Sequence, residues 1–240
     1  MKNLSLHIPT KTYCAPDAID ELGEEAGRVG DRFLLVTEQQ LSGSAALDKV
    51  RKSCEDCGIE VITYADIGPF PDSRSVNDAV ELAGVSKVNG IIGFGDIYTL
   101  SIAKAAAAIG KSSVPAAKLI QGGIEDTLAP YPYIEVPATV RDPGLYSGAL
   151  YLIDARDAEA VRPVLPHFRA QAGILDPLLI GSYSKKYRFS VVLDMLLSAV
   201  EGYFSEESTF FSDTLLLRSI GLTLSNILKS IDESEDTDRM

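Results

Sequence analysis

Asp194 and Ser198 are four residues apart in a helical pattern, so they share one face of the predicted helix. A carboxylate in such a place is either a metal ligand or a structural polar group. A serine hydroxyl is a poor metal ligand, since it is neutral near pH 7 and binds divalent ions weakly. Asp194 also lies in the apolar run Phe189–Leu197, where a buried carboxylate needs a polar partner. The candidate partners are Ser198, Lys185, Lys186 and Arg188.

The histidines and cysteines do not complete a metal site. The chain has two histidines, His7 and His167, so a site of three histidines is excluded. Cys54 and Cys57 form a C-x-x-C pair without a second pair or a nearby histidine. They end a helix predicted over Ala45–Cys57, and we interpret them as a solvated helix end. We therefore expect no metal cofactor.

A second candidate site is the segment Gly93–Lys104, which reads G-F-G-D-I-Y-T-L-S-I-A-K. It follows the apolar run Val88–Phe94, and glycines at such a turn let backbone N–H groups approach a phosphate closely. Asp96 would set a negative charge against that phosphate, and Ile97 and Tyr98 add bulk. A like-charge contact at about 4 Å is unfavourable by roughly 1–4 kcal/mol. The loop therefore predicts weak nucleotide binding.

Arg141 lies in a later loop, Pro137–Leu145, and has two interpretations. Its guanidinium could supply a cation to the site or pair with Asp96, or it could be a solvated loop side chain. Because loops are exposed by default, we favour the solvated side chain.

The composition excludes some classes of partner. A formal net charge of −12 opposes binding to nucleic acid and to an anionic membrane surface. Three cysteines give no disulfide framework, which predicts a reducing, cytoplasmic location. The start of the chain does not resemble a secretory signal, and the apolar runs are too short to span a bilayer.

Short apolar runs alternate with helical patterns over the first two-thirds of the chain, which predicts a doubly wound α/β domain with a parallel sheet. The predicted strands are Arg32–Thr37, Glu60–Tyr64, Val88–Phe94 and Tyr133–Val136. The predicted helices are Pro16–Val29, Ala45–Cys57, Ser75–Val85 and Thr99–Ile109. Leu4–Tyr13 alternates and is interpreted as an edge hairpin.

The pattern changes after this region. A strand is predicted over Ser147–Asp154, followed by a linker at Pro163 and Pro166 and a last short strand at Gly173–Pro177. Two helices follow, at Lys185–Phe204 and Thr209–Ile231. We expect an α/β domain over 1–165, a shortened helical domain over 166–231 and a frayed acidic tail over 232–240.

The segment Phe189–Asp213 resembles the signature helix of the iron-containing alcohol dehydrogenases, roughly D-A-L-x-H-x-x-E-A-Y-x-S followed by S-D. The matching positions are Asp194, Glu201, Tyr203, Ser205, Ser212 and Asp213. Leu34–Glu38 resembles the family's second strand, and Ile174–Leu178 resembles the segment that enters its helical domain. Gly93–Lys104 stands where the family has roughly G-L-G-G-G-S-x-x-D-x-A-K. Of the family's P-T-T-x-G-T-G-S-E loop, Pro137 and Thr139 remain.

The resemblance implies the family's Rossmann-like domain followed by helices, the dehydroquinate synthase-like fold. It also implies NAD(P) near Glu38, Gly93, Gly95 and Thr139, and a metal of which Asp194 is the only retained ligand position. Ser198 stands where the family has a histidine. The chain ends before the family's two further histidine ligands.

These departures lead us to expect a degenerate family member, a pseudoenzyme without metal-assisted hydride transfer. It would bind a small molecule or a protein partner, and we name no catalytic residue. One alternative is an NAD(P)-dependent oxidoreductase with a remodelled, metal-independent site, and another is one half of a split enzyme. We also expect a homodimer, formed through the opening strand, the carboxyl-terminal helix, or both.

Overall fold

The computed structural model describes residues 7–68, 70–112, 114–121, 128–141, 144–156 and 158–232. They form two compact units. One is Ile8–Ser182, and the other contains His7 and residues 183–232.

The first unit is built on a six-stranded parallel sheet in the order β1-β8-β5-β4-β2-β3. The sheet strands are β1 Lys11–Cys14, β2 Arg32–Val36, β3 Glu60–Tyr64, β4 Gly90–Gly95, β5 Tyr133–Pro137 and β8 Ala172–Leu175. A separate antiparallel ribbon pairs β6 Leu152–Ile153 with β7 Ala160–Val161. The α/β fold class is confirmed.

Helices cover the sheet and carry its connections. The α-helices of this unit are α1 Leu22–Gly27, α2 Ala45–Asp56, α3 Ser73–Val85, α4 Ile97–Ile109 and α5 Ala116–Gln121. Shorter 3-10 helices lie at Ala18–Glu21, Gln39–Leu41 and Pro177–Ser182. Ser44 and Asp72 begin α2 and α3, and each side chain accepts a hydrogen bond from a backbone N–H of the first turn.

The central strands and α4 form the core. Every residue of β4 and β5 is buried, which fits strands covered on both faces. Helix α4 is rich in alanine and nearly all of it is buried. Gly93 of β4 allows α4 to lie close to the sheet, because an added Cβ would lie 2.9 Å from the Ala103 Cβ and 2.7 Å from the Tyr133 hydroxyl. The sequence patterns therefore identified the middle of the sheet correctly.

Three expectations about the periphery were wrong. Residues 7–14 form no hairpin, because β1 instead pairs in parallel with β8. The strand expected over Ser147–Asp154 is reduced to β6, since the chain before it makes an isolated bridge from Ala149 to Val164. The expected linker at Pro163 and Pro166 is part of the α/β unit, because Leu165 between them is buried in its core.

The contact-defined unit ends at Ser182, beyond the boundary at 165, because β8 completes the sheet between β1 and β5. The functional boundary stays a prediction. Leu4–Leu6, Asp142, Pro143 and tail residues 233–240 lie outside the described residues.

The two cysteines of the C-x-x-C pair differ in environment. Cys57 is exposed, whereas Cys54 is fully buried, so the interpretation as a solvated helix end is wrong for Cys54. Burial raises the pKa of the Cys54 thiol to about 12. Cys54 is therefore a core side chain.

The second unit pairs two helices, α6 Lys185–Tyr203 and α7 Phe210–Asp232. Gly202 of α6 faces Leu216 of α7, whose Cδ1 would lie 3.2 Å from an added Cβ. Many apolar side chains stay exposed. Phe210, Leu217 and Leu224, seven residues apart on α7, are 89%, 50% and 55% exposed. Over the described residues, no helix is both long and apolar enough to cross a membrane.

Candidate functional site

The order of the strands creates a crevice between β2 and β4. From β2 the chain crosses to β3 at the sheet edge and returns to β4 on the other side of β2. At such a reversal the loops after the two strands diverge, and doubly wound proteins bind ligands there. Glu38 follows β2 and Gly95 ends β4, so both lie at the carboxyl ends that border this crevice.

Glu38 and the loop after β4 are in direct contact. The Asp96 backbone N–H donates a hydrogen bond to Glu38 Oε1 at 3.2 Å, and Gln40 Nε2 donates to Glu38 Oε2 at 2.8 Å. Gly95 has a φ of 154°, a value that favours glycine. A Cβ there would lie 3.0 Å from the Thr99 Cβ and 3.1 Å from Glu38 Oε1. Glycine at position 95 is therefore required by the turn itself.

The Asp96 carboxylate is held by two side chains from the loop after β5. Thr139 Oγ1 donates to Asp96 Oδ1 at 2.7 Å, and Arg141 Nη2 lies 2.5 Å from Asp96 Oδ2. Asp96 is 1% exposed, while the Arg141 side chain is 23% exposed and its guanidinium lies 5.4 Å from the centre of the Tyr98 ring. The interpretation of Arg141 as a solvated loop residue is therefore wrong, because it neutralises Asp96 at the crevice.

The structure brings together three of the four residues expected to bind a cofactor. Glu38, Gly95 and Thr139 meet around Asp96. Gly93 lies within β4, packed beneath α4, so its position is explained by helix–sheet packing. Whether any of the four binds a cofactor stays a prediction.

A buried ion pair lies beneath the same loops. Lys104 Nζ of α4 is 3.0 Å from Glu135 Oε2 of β5 and donates to the Gly144 carbonyl at 2.7 Å. Lys104 is 2% exposed and Glu135 is fully buried. The pair therefore ties α4 and β5 to the chain that follows Arg141. Sequence reasoning missed it, although a glutamate inside the apolar run of β5 was the signal that could have found it.

The expected metal position is not a metal site over the described residues. Asp194 is half-buried on α6, and Ser198 is exposed one turn later. Across the parts of the chain that the structure describes, no three histidine, cysteine, aspartate or glutamate side chains converge. His7 and His167 are both exposed. This donor set does not fit a tightly held divalent metal.

A second cavity lies along the same edge of the sheet, at the carboxyl ends of β1, β5 and β8. It has a volume of about 510 Å³, and Thr139 forms part of its wall beside Cys14 and Asp176. Most of the surface exposed in it is apolar. The Asp96 loop and this pocket thus share Thr139.

A doubly wound parallel sheet whose loops border a strand-order reversal has a Rossmann-like architecture. Comparison with known families makes this specific. The family described as iron-containing alcohol dehydrogenase matches residues 9–177, so the chain belongs to that family.

Curated relatives include dehydrogenases of several named substrates. The chain is 27% identical over 234 residues to long-chain-alcohol dehydrogenase 1 of Geobacillus thermodenitrificans, covering 95% of this chain and 58% of that protein. It is 25% identical over 238 residues to choline dehydrogenase of Bacillus subtilis, covering 97% and 58%. The chain thus spans less than two thirds of the length of these relatives.

Solved structures confirm the fold. The NADH-dependent butanol dehydrogenase A of Thermotoga maritima superposes with a TM-score of 0.86 at 22% identity, covering 97% of this chain and 58% of that one. A 1,3-propanediol oxidoreductase superposes with a TM-score of 0.88 at 22% identity, covering 96% and 60%.

Proposed function

We propose that this member of the iron-containing alcohol dehydrogenase family does not carry out metal-assisted hydride transfer and acts as a binding module, a pseudoenzyme. The observation that carries the proposal is the Asp96 carboxylate, which accepts a hydrogen bond from Thr139 and pairs with Arg141 inside the crevice. The protein therefore places a negative charge of its own, the Asp96 carboxylate, at the amino terminus of α4.

Phosphates bind at helix amino termini because backbone N–H groups and positive charge are available there. In this chain the Asp96 N–H donates to Glu38, and Arg141 is paired with the Asp96 carboxylate. A pyrophosphate would have to displace that carboxylate or lie against it. Tyr98 adds a side chain at the same turn that is 43% exposed, whereas Ile97 is buried. These residues do not fit a dinucleotide phosphate.

The metal half of the family's chemistry has equally little support. A metal polarises the alcohol oxygen while the nicotinamide accepts the hydride. Asp194 is followed one turn later by a serine instead of a histidine. A serine hydroxyl binds such ions weakly. This favours a binding role for a small molecule or a protein partner.

One observation favours a second candidate, a metal-independent NAD(P)-dependent oxidoreductase. Glu38 stands at the end of β2, where a carboxylate can hold the ribose hydroxyls of an adenosine. Its two oxygens accept hydrogen bonds from Asp96 and Gln40, and a carboxylate has lone pairs for further donors.

Calorimetry with NAD⁺ and NADP⁺ separates the two candidates. We expect the native chain to bind neither at micromolar concentration. The triple variant Asp96→Gly, Ile97→Gly, Tyr98→Ser should bind at least roughly tenfold more tightly, because it removes the charge and the bulk together. Tyr98→Ser alone is the matched control, since it keeps Asp96. Micromolar binding by the native chain would favour the oxidoreductase, and hydride transfer to an aldehyde would establish it.

A partner surface is the second part of the proposal. The exposed stripe Phe210, Leu217 and Leu224 has the seven-residue spacing of a helix-pairing seam. Among the described residues, strand β1 is the last strand on its side of the sheet, so that edge is open to pairing. These features support a homodimer, and they equally suit a second polypeptide in a split enzyme. The three free thiols support a reducing, cytoplasmic location.

A further inference from the structure

We propose that the pocket at the carboxyl ends of β1, β5 and β8 binds an uncharged, apolar small molecule. This inference rests on the proposed binding role and names the class of ligand for it. The ligand would lie beside the Asp96 loop, against the wall that Thr139 shares with it.

The size and the walls of the pocket suit such a ligand. Its volume of about 510 Å³ lies within the range of small-molecule sites. The apolar wall includes Pro16 after β1, Pro137 and Val140 around the end of β5, Leu145, and Ile180 beyond β8. Filling such a cavity removes apolar surface from water on both partners, which drives binding without any charge.

The buried polar side chains of the wall are already engaged with the protein. Thr139 Oγ1 donates to Asp96 and accepts from the Arg141 N–H at 3.3 Å. Asp176 is 2% exposed, and its carboxylate accepts from the backbone N–H groups of Leu178 at 2.9 Å and Ile19 at 3.3 Å. A polar ligand would compete with these bonds, whereas an apolar ligand leaves them intact.

Charge argues against an anionic ligand in particular. Among the described residues that line the pocket there is no lysine, arginine or histidine, and Asp176 is acidic. The whole chain carries a formal net charge of −12. A phosphate or sulfonate entering this cavity would lose its hydration without gaining a cation.

Two dyes with one aromatic skeleton test the proposal. N-phenyl-1-naphthylamine is uncharged, and 8-anilino-1-naphthalenesulfonate adds a sulfonate. Cys14 reports occupancy, since it is exposed and lines the pocket, while exposed Cys57 does not line it. The rate at which N-ethylmaleimide alkylates each cysteine is followed by peptide mass spectrometry. We expect the uncharged dye at saturation to slow the alkylation of Cys14 roughly tenfold, because a bound ligand buries the lining residues. Cys57 should be unaffected, and the sulfonate should protect Cys14 weakly.

A pair of valine variants checks that the dye is in the pocket. Val140→Asp sets a charge on the wall at a residue that is 42% exposed, so the fold should survive, as circular dichroism would confirm. This variant should weaken the binding of the uncharged dye roughly tenfold. Val164→Asp makes the same change at a valine that is 54% exposed and does not line the pocket, and it should leave binding unchanged.

Each outcome decides the question. Dye fluorescence without protection of Cys14, or equal effects of the two valine variants, would overturn the pocket assignment. Equal or stronger protection by the sulfonate or by NAD⁺ would overturn the assignment of ligand class. Protection by the uncharged dye in a protein that also transfers hydride would leave this inference standing and refute the proposed function. If the uncharged dye does not protect Cys14 and the protein transfers no hydride, this inference is overturned and the proposed function stands.

Discussion

Arg141 sets the charge of the crevice, because it supplies the positive charge beside the buried Asp96 carboxylate. The sequence allowed this pairing without favouring it, because the two residues are 45 positions apart and no local pattern joins them. The loop position alone predicted solvent exposure. The parallel pairing of β4 with β5, in which Gly95 lies opposite Pro137, brings the two side chains together.

We expect Arg141→Ala to lower the free energy of unfolding by about 2–3 kcal/mol, because it leaves a buried carboxylate without its cation. Guanidinium or urea titration measures this. The matched control is Arg74→Ala, which breaks a pair whose arginine is 77% exposed and should change stability by less than about 1 kcal/mol. Equal losses in the two variants would show that the Arg141 pair is no stronger than a surface pair.

Because the Cys54 thiol is buried, we expect the protein to lose stability at alkaline pH. In the unfolded chain the thiol titrates near its ordinary pKa of 9.0, whereas burial raises the folded pKa to about 12. Below pH 9 both states are protonated and the thiol makes no difference. Above it the unfolded state loses the proton first, so the free energy of unfolding falls as the pH rises towards 12.

Denaturant titrations at several pH values test this. Cys54→Ala should remove the part of the decline that begins near pH 9, although it lowers stability at neutral pH by about 1–2 kcal/mol through the lost packing. Tyr64, whose pKa burial raises from 10.0 to about 12, should keep the later part. Cys57→Ala should keep the decline that belongs to Cys54, because burial is the main cause of the raised Cys54 pKa. An unaltered profile in Cys54→Ala would refute the assignment.

Among the elements, the contact between β4 and α4 is the one most sensitive to side-chain size. We expect Gly93→Ala to destabilise the protein by about 1–3 kcal/mol, since the new methyl group would meet Ala103 and Tyr133 below contact distance. Gly84→Ala in α3 has open space around the added Cβ and should be neutral or slightly stabilising. Thermal unfolding of both variants measures the difference, and a neutral Gly93→Ala would mean that α4 can move away from the sheet.

The elements also show how far sequence reasoning reached. Strands β2 to β5 and helices α2, α3, α4, α6 and α7 were predicted closely, because continuous apolar runs and helical spacing are local signals. Helix α5 was not predicted, and the opening strand was given the wrong partner. Strand pairing and buried ion pairs such as Lys104–Glu135 join distant parts of the chain, and no local pattern specifies them.

For the whole molecule, exposed apolar surface and high negative charge act in opposite directions. The stripe of Phe210, Leu217 and Leu224 favours association, while a net charge of −12 opposes it. We therefore expect a homodimer whose population rises with salt, because added ions screen the repulsion. Light scattering at increasing ionic strength measures the mass.

The double variant Leu217→Gln, Leu224→Gln should shift the equilibrium to monomer, because it removes most of the seam while keeping good helix-forming residues. Val85→Gln, at an apolar residue that is 75% exposed on α3, is the control and should leave the mass unchanged. A monomer at all salt concentrations would contradict the homodimer.

The pairing of Asp96 with Arg141 makes the order of substitutions matter in any lineage that carries both. Changing Arg141 first leaves a carboxylate that is 1% exposed without its cation, and changing Asp96 first leaves a cation facing the crevice. Contacting residues are coupled in this way, so the effects of the two single changes need not add to the effect of the double change. A phosphate-binding loop would further need smaller residues at Ile97 and Tyr98. Selection for stability alone therefore opposes the loss of either residue of the pair by itself.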